Sequence, residues 1–178
     1  DITRTFPVSG KFSPEQRALY DVVLKAQLAA IKQVKPGNHW NQPHEAAVLV
    51  LTKGLLALGL LQGKLSELIE CEAYKPFYMH RTGHWLGMDV HDVGDYKVGG
   101  AWRELEPGMV LTVEPGIYVA VDEASVDPKW RGIGIRIEDD VLVTEKGRKV
   151  LTRGATKDPD AIEAMMAKSR GRSPRRVA

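Results

Sequence analysis

The chain has 178 residues, of which 43% are hydrophobic and 27% are charged, and these ordinary values favour one soluble globular domain over disordered, collagen-like or membrane-embedded classes. The net charge of +2 is too small to indicate a nucleic-acid or membrane partner. Cys71 is the only cysteine, which excludes an intramolecular disulfide and a thiolate zinc cluster, and no signal-like apolar segment opens the chain. We therefore expect a cytoplasmic protein.

The first half of the chain is predicted to be mostly helical. A strand is expected at residues 2–8, where β-branched and aromatic residues are enriched. Ser13 and Gln16 then form the sequence signature of a capping box, which begins a helix that a Pro-Gly pair closes. Apolar residues at helical spacing predict a second helix over residues 41–61 and a shorter third helix over residues 65–74.

The second half of the chain is predicted to consist of strands and turns, because glycines separate short runs of β-branched residues. Residues 158–166 are predicted to form a last amphipathic helix, and residues 169–178 a basic tail. We assign residues 1–168 to a single domain. Strands are predicted at residues 109–113 and 133–137, and residues 141–151 are predicted to form a hairpin with its turn at residues 145–147.

Three histidines lie close together in the strand-rich half. His80, His84 and His91 fall within twelve positions. Thr82 and Gly83 are poor helix formers and no glutamate follows the first histidine, so a helical zinc motif is disfavoured. The alternative is that these are exposed loop histidines.

Two glutamates stand at the ends of apolar strands. Glu114 follows residues 109–113, and Glu138 follows residues 133–137. A carboxylate in such a position is costly unless a cation compensates it, and carboxylates with histidines suit a metal that prefers oxygen and imidazole ligands. The alternative is a pair of surface carboxylates, with residues 138–140 forming a solvated turn.

The segment His-Arg-Thr-Gly-His-Trp-Leu-Gly-Met-Asp-Val-His-Asp at residues 80–92 resembles the signature of the aminopeptidase P and proline dipeptidase family. The resemblance covers nearly all of the chain except the basic tail. It is similar to bacterial Xaa-Pro aminopeptidases above all, which remove an N-terminal residue that precedes proline. Further matching segments lie at residues 1–7, 105–109, 112–118 and 131–140.

This resemblance implies an α/β (α+β) pita-bread fold, also called creatinase/aminopeptidase-like, of which the chain would contain the C-terminal part only. It also implies a dinuclear metal centre with five ligands. Four match Asp1, His84, Glu114 and Glu138, and the remaining aspartate of the family pattern lies upstream of the matching segment. The implied cofactors are two divalent ions, with Mn²⁺ expected and Co²⁺ or Zn²⁺ as alternatives.

The reaction that the resemblance implies is hydrolysis of peptides with proline at the second position. Two ions bridged by Asp1 and Glu138 would share a water and polarise the scissile carbonyl. His80 and His91 resemble the family's substrate-facing histidines. Arg136 is expected to orient the carboxylates, and Tyr118 is a further candidate for such support.

The match to only part of the family pattern gives three further expectations. The chain would behave as a C-terminal fragment with partial or no metal occupancy, its activity would be impaired or absent, and it would form a homo-oligomer over exposed core surface. Two other functions stay open at this point. The chain could derive from a proline dipeptidase, or it could be a non-catalytic pita-bread binding module.

Overall fold

The computed structural model describes residues 1–170, and the side chains of residues 1–168. Four helices and seven short strands make up this part of the chain. No helix within it is long and apolar enough to cross a membrane. The helices are α1 (Pro14–Gln33), α2 (Gln42–Ala57), α3 (Leu65–Glu70) and α4 (Pro159–Arg170). The strands are β1 (Lys97–Val98), β2 (Ala101–Trp102), β3 (Val110–Val113), β4 (Gly116–Tyr118), β5 (Gly134–Arg136), β6 (Asp139–Thr144) and β7 (Gly147–Val150).

Helix α1 begins where the capping box predicts. The Gln16 backbone N–H donates to Ser13 Oγ at 3.2 Å, and the Ser13 N–H donates to Gln16 Oε1 at 3.0 Å. These two bonds satisfy donors that the first turn of a helix leaves free. One face of α1 is fully buried at Leu19, Val23 and Ala26, which lie at helical spacing. The prediction of this helix is confirmed.

Helices α1 and α2 pack closely at a glycine. A Cβ built on Gly54 would lie 2.3 Å from a methyl group of Val22, so a larger residue here would push the helices apart. Helix α2 was predicted to end at residue 61, but it ends at Ala57. Gly59 has a φ of +77°, and the Leu60 N–H bonds back to the Leu55 carbonyl, which closes the helix with a left-handed residue.

Two further predictions for local structure need correction. Helix α3 ends at Glu70 instead of residue 74, and Glu72 has a left-handed φ of +55°. Residues 2–8 form no strand and make one isolated bridge, between Thr3 and Glu138. Beyond that bridge, the Thr5 hydroxyl takes the place of backbone pairing, since it donates to the Arg136 carbonyl and accepts the Arg136 N–H. The chain is thus held beside the sheet by a side chain.

Two antiparallel ladders position the candidate site. Strands β3, β6 and β7 form one sheet, and β4 pairs with β5 in another. The hairpin of β6 and β7 is the one predicted from the turn at Glu145. Both ladders pair residues 110–118 with residues 134–142, and the register is the same in each. In this register Glu114 is opposite Glu138, at the point between the two ladders.

The end of the chain matches the predicted last helix and extends it. Helix α4 buries Ile162 against the core and continues to Arg170, two residues into the segment predicted as a tail. The rest of that basic tail, residues 171–178, lies outside the described residues.

Candidate metal centre

Three of the four candidate ligands come together from distant parts of the chain. One donor atom each of Asp1, His84 and Glu138 lies within 4.8 Å of the other two. His84 Nε2 is 3.4 Å from Asp1 Oδ2. His84 and Glu138 are buried, with 8% and 3% of their surface exposed, whereas Asp1 is open to solvent. The cluster therefore has one accessible side.

Glu114 completes the group of four. Its Oε1 lies 3.5 Å from His84 Nε2. In the sheet register Glu114 is opposite Glu138, and its carboxylate approaches the same His84 nitrogen as Asp1, although it is not part of the group whose donor atoms all lie within 4.8 Å of one another. The four residues proposed as ligands from the sequence thus lie at one place in the fold.

The imidazole of His84 has a defined tautomer. Its Nδ1 lies 2.9 Å from the carbonyl oxygen of Trp85, which can only accept a hydrogen bond, so Nδ1 carries the proton. Nε2 is then the nitrogen that faces the carboxylates of Asp1 and Glu114, and it carries the lone pair whenever the ring is neutral. This is the usual arrangement of a histidine that binds a metal, in which one ring nitrogen is oriented by a carbonyl and the other faces the ion.

The carboxylates destabilise one another in this arrangement. Burial raises the pKa of Glu138, and the charge of Glu114 raises it further, against the opposing effect of the Thr3 hydrogen bond. Like charges that face each other across strands are unfavourable. A donor set of carboxylate oxygens and one imidazole nitrogen fits a divalent cation.

Arg136 reaches the cluster through an intermediate residue. Its Nε donates to Thr3 Oγ1 at 3.2 Å, and that hydroxyl donates to Glu138 Oε2 at 2.5 Å. The guanidinium therefore acts on Glu138 through Thr3. The sequence interpretation missed Thr3, although it lies two residues after Asp1 in a matching segment.

His91 contacts one of the four residues directly, whereas His80 contacts Tyr118. His80 Nδ1 donates to the Arg81 carbonyl at 2.7 Å, and Nε2 lies within hydrogen-bonding distance of the Tyr118 hydroxyl, at 2.8 Å. Burial raises the pKa of Tyr118. The His91 ring stands edge-on to the ring of His84, with centroids 4.4 Å apart. His91 has a left-handed φ of +56°.

A buried ionic network anchors the segment that carries Asp1. Asp139 is fully buried and accepts hydrogen bonds from Arg4 at 2.7 Å and from Lys157 at 2.5 Å. Burial opposes its ionisation, yet the hydrogen bonds from Lys157, Thr152, Arg4 and Gln27 lower the pKa of Asp139 to about 2. The interpretation of residues 138–140 as a solvated turn is therefore wrong, since all three are buried.

The fold and the cluster define a metal-dependent class of protein, and comparison with known proteins gives the family. The sequence pattern of metallopeptidase family M24 matches residues 1–145. The chain belongs to this family and has the C-terminal part of its pita-bread fold.

Individual relatives agree with this assignment. The chain is 53% identical over 166 residues to the Xaa-Pro aminopeptidase of Haemophilus influenzae. That alignment covers 93% of this chain and 38% of the relative. Pseudomonas aeruginosa aminopeptidase PepP superposes with a TM-score of 0.96 at 63% identity, over 97% of this chain and 39% of that one. Escherichia coli aminopeptidase P with the inhibitor Pro-Leu gives 0.92 at 49% identity, over 97% and 39%. The chain thus spans about two fifths of the length of these relatives.

Proposed function

We propose that this chain is the metal-binding part of an Xaa-Pro aminopeptidase, which hydrolyses the bond between an N-terminal residue and a following proline. The observation that carries the proposal is the convergence of Asp1, His84, Glu114 and Glu138 in a chain whose relatives are named Xaa-Pro aminopeptidases. The retained ligands argue against a non-catalytic binding module.

The proposed cofactors are two divalent ions in the full-length enzyme, with Mn²⁺ as the expected metal. A bound divalent ion supplies a water of lowered pKa and polarises the carbonyl that the water attacks. Asp1, His84, Glu114 and Glu138 would hold this cofactor through carboxylate oxygens and the Nε2 lone pair. The prediction that the 178-residue chain alone binds at most about one ion, and has impaired or no activity, stays a prediction.

The surrounding residues have separate proposed roles. His80 is oriented by the Tyr118 hydroxyl on its Nε2, and His91 by its contact with the His84 ring, so both can hold a peptide over the cluster. Arg136 keeps Glu138 in position through Thr3. The cytoplasmic location and the homo-oligomeric state expected from the sequence stay predictions.

The proposal is tested by a peptide-cleavage assay of the purified full-length protein with added Mn²⁺. We expect cleavage of a Xaa-Pro-Yaa peptide in Mn²⁺, no cleavage when alanine replaces the proline, and loss of activity by at least about a hundredfold in His84→Ala. His39→Ala is the matched control, since His39 precedes α2, where its backbone forms a bridge with Glu104. Cleavage of Xaa-Pro dipeptides alone would indicate a proline dipeptidase, and equal activity of His84→Ala would refute the metal centre.

A further inference from the structure

Thr112 joins two of the proposed ligands through its hydroxyl group. The side chain lies in β3 and is 1% exposed. Its Oγ1 accepts the backbone N–H of His84 at 3.0 Å and lies 3.2 Å from Glu114 Oε1. One buried oxygen atom therefore contacts both His84 and Glu114.

The direction of these two hydrogen bonds is fixed. A backbone N–H can only donate, so the threonine oxygen is the acceptor towards His84. A carboxylate can only accept, so the single hydroxyl proton of Thr112 points to Glu114 Oε1. The hydroxyl thus holds one oxygen of the Glu114 carboxylate at a set distance from the backbone of His84.

The two segments are already paired by their backbones. The Thr112 N–H donates to the His84 carbonyl at 3.0 Å, and the Glu114 N–H donates to the Thr82 carbonyl at 2.7 Å. A Cβ on Gly83 would lie 2.0 Å from the Thr112 carbonyl oxygen, which shows how close this pairing is. The backbone pairing places the strands, and the hydroxyl adds a hydrogen-bonded link between the His84 backbone and the Glu114 carboxylate.

We propose that Thr112 is a positioning residue that sets the metal affinity of the centre by fixing the Glu114 carboxylate relative to His84. This inference rests on the proposed function, because it requires that His84 and Glu114 bind a metal. Partners that orient metal ligands typically contribute about ten- to a hundredfold to metal affinity. Replacing Thr112 by valine keeps the shape and the backbone pairing, and removes only the hydroxyl.

The test is a Mn²⁺ titration of the full-length protein, followed by the electron paramagnetic resonance signal of free Mn²⁺. We expect Thr112→Val to bind Mn²⁺ about ten- to a hundredfold more weakly than the wild type, and Thr112→Ser to stay within about threefold of it. Thr52→Val is the matched control. Thr52 is a fully buried threonine of α2 whose hydroxyl donates to the Val48 carbonyl, and its loss should leave Mn²⁺ affinity unchanged.

The same titration separates this inference from the metal centre itself. Wild-type affinity in Thr112→Val, together with loss of binding in His84→Ala, would overturn the role of Thr112 and leave the centre intact. Equal weakening in Thr112→Val and Thr112→Ser would also overturn it, since Thr112→Ser keeps the hydroxyl and the effect would then not depend on that group. A wild-type protein that binds no Mn²⁺ would refute the proposed function and this inference with it.

Melting curves in chelator and in Mn²⁺ distinguish a loss of metal affinity from a general loss of stability. We expect Mn²⁺ to raise the melting temperature of Thr112→Val less than that of the wild type, whatever their difference in chelator. An equal rise in both proteins would overturn the inference. If Thr112→Val does not fold, the comparison of Thr112→Ala with Thr112→Ser takes its place, with the same expected order of affinities.

Discussion

Glu114 lies directly opposite Glu138, at the interruption between the β3–β6 and β4–β5 ladders. Val113 pairs with Asp139 on one side of the interruption, and Gly116 pairs with Arg136 on the other, in a single register. Two like charges in such a pair are destabilising when no cation lies between them. The repulsion between these two carboxylates therefore destabilises the sheet next to His84 Nε2, which lies 3.5 Å from Glu114 Oε1.

The first prediction concerns this pair of charges. Glu138→Gln should raise the free energy of unfolding in chelator by about 1 kcal/mol, because it removes a buried charge that faces Glu114. The same change should abolish the stabilisation that Mn²⁺ gives the wild type. Urea unfolding in chelator and in Mn²⁺ measures both effects.

Glu145→Gln is the control for this experiment. Glu145 is an exposed residue of the β6–β7 turn, so its loss should change neither value. If Glu138→Gln were less stable than the wild type in chelator, the two glutamates would not repel each other as the structure indicates.

The second prediction concerns the buried network around Asp139. Asp139→Asn should destabilise the protein by about 3–5 kcal/mol, since it leaves Arg4 and Lys157 without their shared carboxylate. Urea unfolding measures the loss. Asp160→Asn removes an exposed partner of Arg17 and should cost less than about 1 kcal/mol. Similar losses in the two variants would argue against the network.

The prediction from sequence succeeded where the information was local. The capping box at Ser13 and the β6–β7 hairpin depend on residues a few positions apart, and both were predicted correctly. The sequence does not exclude a solvated turn at residues 138–140, because their burial depends on Arg4 and Lys157, which lie far away along the chain. The charge pattern of residues 138–140 alone does not contain that information.

The candidate site shows the same limit. The residues that resemble the family signature pointed to all four proposed ligands, yet Thr3 and Thr112 were missed. Thr112 stands two residues before Glu114, and alternation along a strand places both on one face, which is a usable signal. Thr3 acts through its hydroxyl, which links Arg136 to Glu138 across more than 130 positions of sequence, and no periodic pattern marks such a contact.

The third prediction concerns pH. Burial lowers the pKa of His44 to about 4, and the positive charge of Arg81 contributes in the same direction. The unfolded chain takes up a proton near pH 6.5, whereas the folded protein does not, so the stability present above pH 6.5 is lost as the pH falls towards 4. Between pH 7 and 4.5 this loss should be about 2 kcal/mol.

His44 Nδ1 lies 2.8 Å from the Thr82 hydroxyl oxygen. His44→Gln tests this prediction, because glutamine does not titrate and can still form a hydrogen bond with Thr82. The free energies of unfolding of the wild type and the variant are measured in chelator at pH 7 and at pH 4.5. We expect the difference between the proteins to shift by about 2 kcal/mol in favour of the variant at the lower pH. A difference that stays constant would show that His44 is not held neutral.

The last prediction concerns Gly83, on which the approach of the His84 segment to β3 depends. An alanine Cβ at this position would lie 2.0 Å from the Thr112 carbonyl oxygen, and this backbone atom cannot move aside without breaking the pairing of β3. Gly83→Ala should therefore destabilise the protein by about 2–4 kcal/mol and weaken Mn²⁺ binding, since His84 and Glu114 are displaced together. Gly154→Ala is the matched control, because a Cβ there meets nothing within 4 Å. Urea unfolding and Mn²⁺ titration of the two variants give the comparison, and a Gly83→Ala protein as stable as Gly154→Ala would contradict the close packing of this segment against β3.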